Sequence, residues 1–277
     1  MPRWPVESPC MRPFGREMGF RDNLDQARRF ILRGFEALLF PEKCLKCGIY
    51  LEEDGSRTLE SCFCDACGKE GIFPIGPPFC TSCGIRFQTG ESHVCGDCLK
   101  TPLKLGQVRA AAEYKGIVRD AIQLLKYHSK LAMAKPLERL LFETFLQYYE
   151  NLAVDLIMPM PLHRSKMRKR GFNQAYFLSR NFKKSYYRMF CRLPSWDMDL
   201  ESLVRVKKTE PQTGFDIEER KKNVKNAFKI VQEDRIKGKH ILLVDDVFTT
   251  GATCNEAAKA LLRHGAGRVD ALVLARA

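Results

Sequence analysis

No stretch of this sequence approaches the roughly 18 consecutive apolar residues of a membrane-spanning helix. The oiliest early segment, FILRGFEALLF (residues 30–40), is broken by Arg33 and Glu36, which removes it as the core of a secretory leader. Its spacing predicts a short amphipathic helix with Phe30, Ile31, Phe35 and Leu38 on one side. A cytoplasmic location is expected. Common nucleotide signatures are missing too: there is no Gly-Lys-Ser/Thr Walker loop and no G-x-G-x-x-G fingerprint. Histidine is scarce, and neither His128 nor His163 has an evident acid–base partner. Acid is in deficit, 33 Asp and Glu against 46 Lys and Arg, for a formal charge of +13. That surplus suits nucleic acid, phosphorylated metabolites or anionic lipid without choosing among them.

Cysteine is what the chain has in plenty. Nine of its 12 cysteines lie between Cys44 and Cys98, and eight of these form four C-x2-C knuckles. Two thiolates on a tight turn grip one side of a metal ion, and two such turns complete a tetrahedral zinc site. Pairing the knuckles in order gives one site from Cys44, Cys47, Cys64 and Cys67, and a second from Cys80, Cys83, Cys95 and Cys98. Both would be closed and structural. Cys62 could replace Cys64, and His93 lies close enough to Cys95 to compete. An iron–sulfur cluster or a disulfide framework would use the same residues. Residues 1–38 read as an N-terminal extension with the short helix, 39–103 as a double zinc ribbon and 104–277 as an α/β domain.

From Gln107 the texture changes. VRAAAEY predicts a strand, and Ile117, Val118, Ala121, Ile122 and Leu125 then recur at helical spacing. A second helix is expected over Leu131 to Tyr149, a strand in 154–161, and a short helix marked by Ala175, Leu178 and Phe182. Near the end come strand ILLV (241–244), a helical stripe through Cys254, Ala257, Ala258, Leu261 and Leu262, and strand VDALVLA. Strand, helix, strand with almost unbroken apolar strands predicts a parallel sheet covered by helices on both faces.

In such sheets ligands bind at the carboxyl edge, which is where Asp245 and Asp246 follow ILLV. The next residues, Thr249, Thr250, Gly251, Ala252 and Thr253, are small and hydroxyl-rich and lead into the helix. Backbone N–H groups of such a turn and of the helix N-terminus favour phosphate. The carboxylates favour hydroxyls or a metal ion. A phosphorylated sugar offers both. Thr253 with Glu256 also fits a capping box. HRSKMRKRGFNQ (163–174) concentrates Arg164, Lys166, Arg168, Lys169 and Arg170 between a strand and a helix, at the same edge. Positive charge there can stabilise a leaving pyrophosphate, with Arg170 beside Gly171 the favoured contact, or hold a nucleic-acid backbone. Asn173 and Gln174 are candidates to cap or orient that turn.

ILLVDDVFTTGAT resembles the phosphoribosyl-pyrophosphate (PRPP) motif of type I phosphoribosyltransferases. From about Leu39 onward the chain resembles the ComF family. The double ribbon, LLKYHSK (124–130), MPMPLHRSKMRKRGFNQA (158–175), KKTEPQTG (207–214), ERKKNVKNAF (219–228) and the PRPP motif carry that likeness in this order. The resemblance implies a type I phosphoribosyltransferase-like parallel sheet with helices on both faces, plus a small N-terminal double zinc ribbon. It implies that Asp245 and Asp246 hold the ribose hydroxyls and that Thr249 to Thr253 cradle the 5′-phosphate. Leu162 to Gly171 then meets pyrophosphate, and Mg2+ accompanies PRPP. Catalytic roles, if the chain turns PRPP over, fall to Asp245, Asp246 and Arg170. A mobile hood is expected around Lys207, Lys208, Gln212 and Thr213, with Arg220, Lys221, Lys222 and Lys225 on a short helix after it. Tyr127, Phe172 and Phe215 are candidate stacking platforms for a base. The family's role lies in natural transformation. Expected partners are therefore PRPP or a related phosphoribosyl ligand, single-stranded DNA, and a competence helicase or DNA-uptake channel component. Single-stranded DNA handling without turnover, and zinc-stabilised docking, are the competing functions.

Overall fold

Apolar strands with no polar alternation must be buried on both faces, and this chain buries them between helices. A computed structural model describes residues 43–51, 58–128, 130–209 and 217–277, without the side chains of 217, 218, 220 and 221. The chain divides into two compact units. The larger spans 70–181 and 195–277; the smaller comprises the described residues up to Lys69 together with Phe182–Pro194.

The larger unit is built on strands β1 (Val108–Glu113), β2 (Leu156–Pro159), β3 (Asp197–Met198), β6 (His240–Phe248) and β7 (Arg268–Arg276). All pairings are parallel, in the order β1-β7-β6-β2-β3. Strands β4 (Leu203–Arg205) and β5 (Phe228–Ile230) form a separate antiparallel pair. Among the described residues, five helices of seven residues or more belong here: α1 (Gly116–His128), α2 (Ala134–Tyr148), α3 (Arg164–Arg170), α5 (Ile217–Val224) and α6 (Ala252–Arg263). Helix α4 (Phe182–Phe190) lies in the smaller unit.

Because successive strand residues point to opposite faces, the two faces of the sheet can be read from the buried clusters. Ile241 and Leu243 of β6 join Val269, Ala271 and Val273 of β7 and Cys254, Ala257, Ala258 and Leu261 of α6 in one core. Leu242, Val244, Leu272 and Leu274 alternate onto the other face and are fully buried there. The second knuckle pair belongs to the first of these cores: Cys80, Cys83 and Cys98 pack with Ile75, Phe79, Leu105 and Val108. The chain before it caps the exposed edge of β1, with Ile75 N–H donating to Ala111 O at 3.1 Å and Glu113 N–H to Phe73 O at 2.8 Å. Covering an edge strand this way removes a row of unpaired backbone groups.

Several expectations change. ILLV is part of a nine-residue strand, so Asp245 and Asp246 lie inside β6, not beyond its tip. The basic segment expected to be a turn is helix α3, closed by Gly171 in the left-handed region at φ 81°. The single helix expected around Ala175 to Phe182 is a four-residue helix, Gln174–Phe177, followed by the distinct α4. Lys225 lies past the end of α5. No described helix is long and apolar enough to cross a membrane.

Candidate functional site

Strand β6 outruns its neighbour: β2 last pairs at Pro159 with Val244, while β6 continues along β7 to Phe248. Asp245 and Asp246 occupy that overhang. The period of two sends them to opposite faces, Asp245 toward α6 and β4, Asp246 toward α1. Lys126, near the end of α1, bonds Asp246 Oδ1 through its Nζ at 2.7 Å. Burial would lower the Lys126 pKa, but the Asp246 charge and hydrogen bond more than offset it, so the ammonium is held above its usual value. Asp246 is 5% exposed, and its Oδ2 is buried with no hydrogen-bond partner among the described residues. Leaving such an acceptor unmet is costly. Burial first, then the Asp246 charge, push the Asp245 carboxyl up to about 7. Its Oδ1 accepts from Asp246 N–H at 2.9 Å.

After β6 the chain turns through Thr249 and Thr250 to Gly251, the N-cap of α6, at φ 75°. A side chain here is excluded twice: the backbone is left-handed, and a Cβ would lie 2.3 Å from Phe248 Cζ. Gly251 has no side chain with which to cap α6. Helix α6 starts at Ala252, so Thr253 is inside it and the expected capping box does not form. Glu256 instead accepts from Asn226 N–H at 2.9 Å.

Helix α3 sorts its cations by face. Lys166 and Arg170, one turn apart, are partly buried, whereas Arg164, Arg168 and Lys169 are exposed. Burial, then the charges of Arg205, Arg170 and Lys126, lower the Lys166 pKa, so these four cations share one neighbourhood. Arg170 is aimed by a 2.5 Å bond to Gln174 Oε1, and its guanidinium lies 5.9 Å from the exposed Tyr127 ring. His163 caps α3, its Nδ1 accepting from Ser165 N–H at 3.2 Å. Asn173 accepts from Ala175 N–H at 3.0 Å and donates to Met160 O at 3.1 Å, as expected of an orienting residue. Arg170, Gly171, Phe172 and Tyr176 also line an apolar cavity of about 600 Å³ with Pro159 and Leu131. On the β4–β5 pair, Arg205 donates to Thr209 Oγ1 at 2.6 Å, and its Nε is buried without a partner among the described residues.

The sequence reading missed Lys126 and Arg205. LLKYHSK contains Lys126, but only topology carries the end of α1 to β6. Lys207 and Lys208 are exposed beyond β4. Gln212, Thr213 and Phe215 lie outside the described residues, as does the segment 30–40. Phe172 is buried.

The cysteines form two tetrads whose ligand atoms all lie within 4.8 Å of one another: Cys44, Cys47, Cys64, Cys67 and Cys80, Cys83, Cys95, Cys98. Cys47 Sγ to Cys64 Sγ is 3.7 Å and Cys83 Sγ to Cys95 Sγ is 3.8 Å. A tetrahedron with Zn–S bonds of about 2.3 Å has edges near 3.8 Å, so both tetrads fit zinc. Cys62 turns its thiol to Thr58 O instead, and His93 bonds Glu91 O and stacks on Phe87. Burial pushes the Cys80 thiol up, but N–H groups of Cys83, Cys95 and Ser82 outweigh it and bring it to about 6.

Comparison with known proteins agrees with this geometry. The Double zinc ribbon domain family matches residues 35–99 and the Phosphoribosyl transferase domain family matches 169–277. A "DNA utilization protein YhgH" of Escherichia coli (strain K12) is 33% identical over 201 residues, 71% of this chain and 83% of that protein. "Competence protein F" of Haemophilus influenzae is 29% identical over 245 residues, 86% of this chain and 98% of that protein. "Competence protein ComFC" of Bacillus subtilis (strain 168) is 27% identical over 246 residues, 84% and 94%. A double zinc ribbon followed by a phosphoribosyltransferase-type parallel sheet, with relatives matched along most of their length, places this chain in the ComF family.

Proposed function

We propose that the larger unit binds a 5-phosphoribosyl ligand carrying a diphosphate at C1, PRPP or a close relative. The observation that carries this reading is the buried, unpartnered Asp246 Oδ2 beside a surplus of cations. A ligand with hydroxyl donors and anionic oxygens would satisfy both. Backbone N–H groups from Gly251 to Thr253 would receive the 5′-phosphate. Asp246 and the ionised form of Asp245 would accept from the ribose hydroxyls. Lys166 and Arg170 would meet the diphosphate, with Arg205 reaching it from the β4–β5 pair. If the diphosphate leaves, the same cations stabilise the charge that develops on it. A nitrogen nucleophile would then add at C1.

The Mg2+ expected with PRPP fits this donor set poorly. Mg2+ seeks oxygen ligands in octahedral geometry, whereas one oxygen of Asp246 is already bonded to Lys126, Asp245 is the one other carboxyl beside it among the described residues, and ammonium and guanidinium groups surround the pair.

The names of the relatives, DNA utilization and competence, extend the proposal to DNA uptake in natural transformation. A second reading, single-stranded DNA binding, is favoured by Arg164, Arg168 and Lys169, which face solvent on α3 and could follow a phosphate backbone without base specificity. Calorimetry with PRPP tests the main reading. Binding to the native chain is expected, and Asp245→Asn combined with Asp246→Asn should abolish it; unchanged affinity would defeat the assignment.

A further inference from the structure

At the overhang of β6, Lys126 meets Asp246 and Asp245, Arg205 faces Asp245, and Lys166 and Arg170 gather beside these two cations. Among the described residues Lys166 has no ion pair, and Arg205 Nε has no acceptor. Positive charge is thus gathered before any ligand arrives, and part of it is uncompensated. A divalent cation at this point would need carboxylate oxygens in addition to ligand phosphates and waters, and Asp246 has already given one of its two to Lys126.

Lys126 is the cation that Asp246 already holds. Its Nζ is 2.7 Å from Asp246 Oδ1, and both side chains are largely withdrawn from water, 17% and 7% exposed. Asp245 and Tyr114 also act on it. An ammonium has three donors. One is engaged by Asp246 Oδ1, which leaves donors for phosphate oxygens, while Oδ2, buried and unpartnered among the described residues, still lacks a donor.

Resting on the phosphoribosyl reading, we propose that Lys126 takes the place of a divalent cation at Asp246, so that the diphosphate is captured by the protein's own cations without Mg2+. The diphosphate group brings the negative charge that the four cations lack. A metal ion would add positive charge where it is already in excess. Lys126 lies far from the PRPP motif in the chain, and neither matched domain family includes it.

Calorimetry on the full chain decides this, comparing PRPP with ribose 5-phosphate in Mg2+-free and Mg2+-containing buffer. Zinc content is checked in each, because a strong chelator would strip the tetrads. PRPP affinity is expected to agree within about threefold between the two buffers. Lys126→Met should lose about tenfold or more for PRPP without Mg2+, recover part of it when Mg2+ is added, and bind ribose 5-phosphate about as before. The buffer comparison on the native chain stands even if that variant fails to fold. PRPP binding that collapses without Mg2+ while ribose 5-phosphate still binds would overturn the role of Lys126 alone. Binding of neither ligand would overturn the phosphoribosyl reading and this proposal with it.

Discussion

The two cysteine tetrads share one spacing rule and sit in different surroundings. In the smaller unit Cys44 is buried, Cys47 exposed, and Cys64 and Cys67 half-buried. In the larger unit Cys80, Cys83 and Cys98 are all buried and Cys95 half-buried. The second tetrad is continuous with the apolar core beneath the sheet, and its knuckle is tied to β1 by Val108 N–H donating to Ser82 O at 2.8 Å. Arg109 strengthens that join, donating to Thr81 O at 3.1 Å with its guanidinium 4.6 Å from the Phe79 ring centroid. The same ligand motif can therefore organise a small module or complete the core of an α/β unit. What surrounds the metal, not the spacing of its ligands, decides which.

Breaking one ligand in each tetrad gives the largest contrast. Cys83→Ser should cost several kcal/mol, because structural zinc binding is folding free energy, and should abolish PRPP binding with it. Cys47→Ser should release one zinc and leave PRPP affinity and the melting of the larger unit in place. Differential scanning calorimetry with metal analysis reads both. Equal damage from the two variants would erase the distinction.

A finer contrast comes from the glycine that follows each leading knuckle. Gly48 and Gly84 both adopt positive φ, 81° and 70°. An added Cβ at Gly48 meets nothing within 4 Å, whereas at Gly84 it lies 2.7 Å from Val108 O. Alanine at either position bears the left-handed cost of about 1–2 kcal/mol. Gly84→Ala should lose a further ~1–3 kcal/mol as the knuckle is pushed off β1. Similar denaturation midpoints for the two variants would show that the second knuckle is not anchored there.

The smallest effect separates the units by pH. Asp245 has its folded pKa raised to about 7 from the ordinary 3.8, so the folded state holds the proton more tightly. Its contribution to stability is complete below pH 3.8 and is lost as pH rises to about 7. Asp245→Asn should therefore raise the Tm of the larger unit by roughly a few degrees at pH 8 and by almost nothing near pH 4, while weakening ligand binding. No change is expected in the smaller unit. A gain that does not depend on pH would contradict the shift.

Local rules made much of this legible. The knuckles point to a metal because two thiolates with two residues between them can grip one side of an ion from a single tight turn. The strands β1, β6 and β7 show as apolar runs because both their faces are covered. Helix α3 escaped because a run of cations carries little apolar periodicity, with Met167 its one long apolar residue. The β4–β5 pair escaped because three-residue strands are too short to show a pattern. Lys126 and Arg205 were beyond reach for another reason. They join Asp245 and Asp246 only after α1, β4 and β6 have taken their places, and no local spacing encodes that. Nor does knuckle spacing reveal that the second tetrad packs into the α/β core.

A crystal structure of the full chain with PRPP tests the central claim most directly. The expected result has ribose hydroxyls on Asp246 Oδ2, the 5′-phosphate on the N–H groups around Ala252 and Thr253, and the diphosphate among Lys126, Lys166, Arg170 and Arg205. A ligand bound elsewhere, with Asp246 Oδ2 still lacking a donor, would contradict it.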